Sequence, residues 1–110
     1  MERLAVYAST RLSRPVYRAV RQIPPSADDF RAYTATGRDV PTADYLRLSA
    51  VSMYRTREEL NRARAKYGLP PETVELDLRL DQRIRYALTN PGMGHLAVWA
   101  PPEALLACVI

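Results

Sequence analysis

His95 is the only histidine and Cys108 the only cysteine among 110 residues. On paper they could form a thiolate–imidazolium pair, the arrangement that makes a cysteine nucleophilic. Cys108, however, lies in the apolar run 104–110, where a cysteine reads as a small buried hydrophobe. His95 follows Gly94 and opens the apolar run 96–100. It reads as a turn or strand-edge residue. The alternative is a pocket residue, because Gly94 permits close approach of a ligand and Trp99 is near in sequence. No CxxC, HExxH or acidic calcium loop is present, so no metal site is expected. A single cysteine excludes an internal disulfide and agrees with a reducing cytoplasm.

Carboxylates and arginines are the other groups that could do chemistry. Glu75, Asp77 and Asp81 alternate with aliphatic residues, so on a strand they share one outer face. Like-charged neighbours could raise a carboxylate pKa there, with Arg79 beside them; an ordinary solvated face fits as well. Lys66 is the only lysine among sixteen basic residues. Arg57, Arg62, Arg64 and Lys66 scatter around a helical wheel and make no groove-reading stripe. Arg3, Arg11, Arg14, Arg18 and Arg21 form the better basic block for non-specific phosphate contacts, against a bland reading as a solvated face. Gly92-Met93-Gly94 matches neither a P-loop nor a dinucleotide fingerprint.

The elements that must position these groups follow from spacing. Residues 74–81 alternate strictly between aliphatic and charged types, which predicts a half-buried strand over 73–81 and a sheet covered on one side. Residues 4–8, 16–20, 50–54 and 96–100 read as further strands. Ile84, Tyr86 and Leu88 continue the alternation, as a hairpin partner of the charged strand or as an extended segment. Ser26 with Asp28 and Asp29 opens a short helix that presents Phe30 and Tyr33 and stops at Gly37. Thr56-Arg57-Glu58-Glu59 is a capping box, and the helix it starts runs to Tyr67 and closes at Gly68. Leu60, Ala63 and Tyr67 form its expected buried stripe. Residues 90–94 form a turn, and Pro102 suits the first position of a last helix.

These elements predict one α+β domain over residues 1–110. Its sheet is mixed or antiparallel, with about four to six strands and two or three helices mainly on one face. No segment approaches the ~18 apolar residues of a membrane span, and the run 4–8 is too short for a signal peptide. A cytoplasmic protein is expected. The apolar end, with Leu105, Leu106, Val109 and Ile110, should dock into the core; otherwise it offers a surface to a protein partner or a second copy.

The order of landmarks adds a resemblance. Tyr17-Arg18 lies on an early strand. The run 50–56 leads into a capped helix. Glu75-Leu76-Asp77-Leu78 comes next, and the chain closes with Gly94-His95-Leu96-Ala97-Val98-Trp99 and Leu105-Leu106-Ala107-Cys108-Val109. This pattern, spanning most of the chain after Val16, resembles a group of small uncharacterised bacterial proteins common in actinobacteria and their relatives. It also distantly resembles the ADP-ribosyltransferase-like toxins, including the RES type. Those place an arginine on an early strand and a serine on a strand leading into a helix, and a later glutamate orients the nicotinamide ribose. The likeness implies Arg18 and Ser52 for the first two roles. Glu75 falls earlier than that pattern places its glutamate, and no acidic residue stands near His95. The likeness thus implies a reduced or inactive form that binds rather than reacts, with NAD as cofactor only if the enzyme reading holds.

Three functions follow as expectations. The first is a small non-catalytic bacterial binding or interaction module, tied to a toxin–antitoxin or mobile-element locus, with no cofactor. The second is an NAD-using enzyme with Arg18, Ser52, Tyr54 and His95 around one cleft and Trp99 as a further ligand contact. The third is a basic nucleic-acid binder.

Overall fold

Alternating apolar side chains build the sheet, and aspartates decide where its most regular stretch stops. The computed structural model describes residues 14–31 and 50–110. Within them five strands form one antiparallel sheet: β1 (Val16–Val20), β2 (Val51–Tyr54), β3 (Glu72–Leu76), β4 (Arg85–Asn90) and β5 (His95–Trp99). Their spatial order is β3-β1-β2-β5-β4. Two helices, α1 (Arg57–Tyr67) and α2 (Pro102–Leu106), and three 3-10 turns complete the described structure. The architecture is the expected α+β class with an antiparallel sheet. The expected strand at 4–8, the helix residues beyond Arg31, and Arg3 and Arg11 lie outside the described residues.

Alternation sends successive side chains to two separate cores. Val16, Val20, Val51, Met53, Leu76, Leu96 and Val98 pack with Phe30, Leu78, Ile84, Leu105 and Cys108. On the opposite face Ala19 and Tyr54 pack with Leu60 and Ala63 of α1. Each helix therefore covers its own face, and both faces are occupied. Small side chains at Ala19 and Ala63 let α1 sit close to the sheet.

Helix α1 starts as its capping box predicts. Glu59 N–H donates to Thr56 Oγ1 at 3.1 Å, and Gly68, at φ 67°, ends the helix with its N–H on Arg64 O. Leu60 and Ala63 are buried, but Tyr67 is 56% exposed. The last turn of α1 overhangs a cleft instead of the core. Arg64 is not a free basic group: it donates to Pro70 O, Glu72 O, Thr73 Oγ1 and Asn61 Oδ1, fastening α1 to β3.

The charged strand is shorter than its alternation predicts. β3 ends at Leu76, and Leu78–Leu80 forms a 3-10 turn. Asp77 Oδ1 accepts the N–H of Arg79, and Asp81 Oδ1 accepts that of Arg83. Such two-residue side-chain captures compete with a sheet ladder. Leu78 still reaches the core, whereas Leu80 is exposed. β4 is not the hairpin partner of β3. The two strands occupy opposite edges, and β4 pairs with β5.

The apolar end docks. Val109 bridges Leu76, Ile110 N–H donates to Glu75 O, and Asp77 N–H donates to Cys108 O, so the tail lies on the outer edge of β3. Leu105 is fully buried and Leu106 and Val109 are half-buried; Ile110 alone of the four stays exposed. The expected docking of the apolar end is thus what the structure shows for Leu105 and Val109. Leu105→Ala should destabilise the fold by about 2–5 kcal/mol in urea unfolding, because it leaves a cavity. Ile110→Ala should change it by less than about 0.5 kcal/mol.

Candidate functional site

The site begins where the sheet comes apart. β1 and β2 pair at one position, Tyr17 opposite Tyr54. The same register would set Ala19 against Ser52, but the ladder does not continue to them. The Arg18 side chain takes over the missing connection. Its Nη1 donates to Ser52 O at 2.7 Å and its Nε to Asp29 O at 2.8 Å. One guanidinium thus ties β2 to the 3-10 turn Ala27–Phe30.

That guanidinium is half-buried, and among the described residues no carboxylate lies at hydrogen-bond distance from it. The buried Asp29 carboxylate is used elsewhere: it accepts from the N–H of Arg21 and of Ser26 and pairs with Arg21 Nε at 3.2 Å. Burial pushes the Asp29 carboxyl up, but these donors outweigh it and hold it below its ordinary value. For Arg18, burial dominates and lowers its pKa to about 10, against the pull of Asp29 and Tyr54. It remains a cation at neutral pH.

Arg18 lines a cavity of about 360 Å³ together with Arg31, Ser52, Tyr54 and His95, floored by Ala19, Leu60 and Leu69. A second lobe of about 530 Å³ shares Ser52, Tyr54, Leu69 and His95 and adds Tyr67, Thr89, Asn90 and Met93. No described residue lining either lobe is acidic.

His95 is held from both ring nitrogens. Nε2 lies 2.9 Å from Ser52 Oγ, and Nδ1 lies 2.6 Å from Thr89 Oγ1. Tyr54, directly opposite His95 in the ladder, meets the ring edge-on with centroids 5.4 Å apart. Burial lowers the His95 pKa, so the imidazole is neutral at pH 7. Burial also raises the Tyr54 pKa, with Tyr67 adding to it and Arg18 opposing.

The backbone explains each placement. Ser52 and Tyr54 are two apart on β2 and face the same side. Gly94 adopts φ 65°, and the Glu59 carboxylate packs into the space a Cβ there would fill. The opening expected above Gly94 is therefore filled from within the chain. Between Leu88 and Asn90 the β4–β5 register shifts: Leu88 faces Leu96 but Asn90 faces His95. Thr89 is the extra residue of this bulge, a device that re-aims side chains.

Sequence reasoning named Arg18, Ser52, Tyr54 and His95, and the fold brings all four to one cleft. Trp99 does not line it; the residue sits at the far end of β5, opposite Arg85. Thr89 was not among the expected residues, although the turn at 90–94 brings it back toward His95. The remaining candidates are engaged elsewhere. Glu75 pairs with Arg57 at 3.2 Å, and Arg57 lies over the Tyr17 ring. Hydrogen bonds from Arg79 lower the Asp77 carboxyl, the reverse of an activated acid. Cys108 is buried in the core, where burial and the nearby Asp81 and Asp77 raise its thiol pKa; the partner of His95 is Ser52.

A scan against known protein families found no matching model, and searches of curated proteins and of solved structures found no significant match. Among the described residues no helix is long and apolar enough to cross a membrane, and no group of three or more His, Cys, Asp or Glu could hold a metal.

The imidazole supplies a direct check. His95 should titrate below about 6.5, the ordinary histidine value, in an NMR pH series. Because the unfolded chain then binds the proton more readily, stability should fall as pH drops through that value toward the folded pKa. His95→Gln should lack this slope.

Proposed function

We propose that this protein is a small bacterial, cytoplasmic binding module whose cleft holds an anionic small molecule at Arg18. One observation carries the proposal. Arg18 is a half-buried guanidinium with Nε and Nη1 on carbonyl oxygens, and no acidic side chain among the described residues lines its cavity. A cation kept partly from water without a paired carboxylate is an incomplete charge pair, and a phosphate or carboxylate group completes it. Arg31 widens the positive rim, although Asp28 shares it at 2.9 Å.

The second lobe narrows the ligand. Its described lining is uncharged and carries Tyr54, Tyr67 and Asn90, which suit a planar polar group. With the resemblance to ADP-ribosyltransferase-like proteins, this nominates NAD or a fragment of it. The absence of an acidic side chain from the described lining supports binding over ribosyl transfer, because nothing there stabilises an oxocarbenium ion. Association with a toxin–antitoxin or mobile-element locus is part of the same proposal and rests on that resemblance alone.

A basic nucleic-acid face is less well supported. Among the N-terminal arginines Arg18 and Arg21 are engaged internally, and on α1 so are Arg57 and Arg64.

Titration with NAD and separately with pyrophosphate tests the proposal. Both should shift the NMR signals of Ala19, Ser52, Tyr54 and His95 in a saturable way, and Arg18→Lys should weaken binding by about tenfold through loss of the planar fork. No shift at millimolar ligand sinks the proposal. Release of nicotinamide from NAD would replace binding by transfer.

A further inference from the structure

We propose that Ser52 is a nucleophile, His95 its general base and Thr89 the residue that positions that base, so that the cleft accepts acyl groups from small anionic esters. Three observations converge. Ser52 is exposed to the cleft, with its Oγ 2.9 Å from His95 Nε2. The other ring nitrogen is fixed by Thr89 Oγ1 at 2.6 Å. Thr89 reaches that position from a bulge, a break in the β4–β5 ladder that places one extra residue beside His95. A nucleophile, a base within hydrogen-bond reach and a third group that orients the base are the parts a serine nucleophile requires.

The neutral imidazole holds one proton. When Nδ1 carries it and donates to Thr89 Oγ1, Nε2 is an acceptor for the Ser52 hydroxyl. In that arrangement Ser52 Oγ attacks the ester carbonyl carbon, and its proton passes to Nε2. The carbonyl electron pair moves onto oxygen. Collapse of the tetrahedral adduct breaks the bond to the alcohol, which leaves with the proton from Nε2. Water repeats the sequence on the acyl-serine, giving the acid and free Ser52. Thr89 is uncharged and cannot offset an imidazolium as a carboxylate would. Acylation of Ser52, not fast turnover, is therefore the expected signature.

Arg18 sets the substrate class. Its Nη1 binds the backbone carbonyl of Ser52 itself, so the cation stands beside the nucleophile. An ester whose acyl part ends in a carboxylate can place that group on Arg18. This preference rests on the anion-binding proposal above; nucleophilicity of Ser52 does not.

Two probes separate the parts. A neutral fluorophosphonate should add once per chain, at Ser52, by intact and peptide mass spectrometry. The adduct should vanish in Ser52→Ala, and its rate should fall at least tenfold in His95→Gln. Thr89→Val should slow labelling and move the 15N shifts of the His95 ring, with Thr89→Ser restoring both. The labelling rate should rise with pH as His95 loses its proton. p-Nitrophenyl hemisuccinate should acylate Ser52 faster than p-nitrophenyl acetate. No adduct, an adduct elsewhere, or a Ser52 adduct indifferent to His95→Gln overturns the nucleophile. If pyrophosphate still shifts the cleft signals in that event, anion binding survives without it. Equal rates for the two esters leave the nucleophile standing and overturn the anionic substrate class.

Discussion

The structure depends on how Arg18 bridges the gap between β1 and β2. Those strands are neighbours in the centre of the five-stranded order, yet they share one ladder pair. Below that pair the strands part, and backbone groups that would have met each other face the cleft instead. Arg18 supplies two charge-assisted donors at 2.7 and 2.8 Å to carbonyls on either side. The same side chain therefore holds the halves together and keeps them apart. A wider ladder would close the cleft; no bridge would leave Ser52 O unpaired.

Charge placement follows from this bridge. Asp29 sits near enough to favour the Arg18 cation, but its carboxylate is turned to Arg21 and Ser26. The elements around β3 show the opposite habit. Asp77 with Arg79, Asp81 with Arg83 and Glu75 with Arg57 are closed ion pairs on the surface. Such exposed pairs contribute little to stability. They hold Glu75, Asp77 and Asp81 away from the cleft, whose described polar lining is arginines, hydroxyls, tyrosines, an asparagine and one imidazole.

Much of this was legible in the sequence, and the rest was hidden for definite reasons. The strands at 16–20, 51–54 and 95–99 carry dense apolar or β-branched residues, and Thr56 with Glu59 announces α1. His95 could be named because it opens such a run after Gly94, whereas Arg18, Ser52 and Tyr54 were named through the resemblance to ADP-ribosyltransferase-like proteins. The break after Leu76 was hidden because an aspartate two residues before an amide can capture it, a local competition that hydrophobic periodicity does not register. Tyr67 was misplaced because a helical stripe states which residues share a face, not how far the sheet beneath extends. Trp99 was misplaced because nearness to His95 in sequence, on a strand, means separation in space. Thr89 was missed because a register shift of one residue depends on the whole hairpin.

The surroundings of His95 show how far such placement is collective. Gly94 carries the chain through a left-handed turn, and the carboxylate of Glu59, itself held by Thr56 Oγ1, fills the space beside it. Arg55 N–H donates to Gly94 O at 3.0 Å, joining the end of β2 to the start of β5. The cap of α1 and the entry to β5 are thus one packed unit. A side chain at position 94 would have to displace Glu59 and adopt a strained backbone, and His95 would move with it. The imidazole is then fixed by Ser52 on one side and Thr89 on the other. Three strands and a helix terminus converge on a single ring, and that convergence gives a neutral histidine a defined direction in which to move a proton.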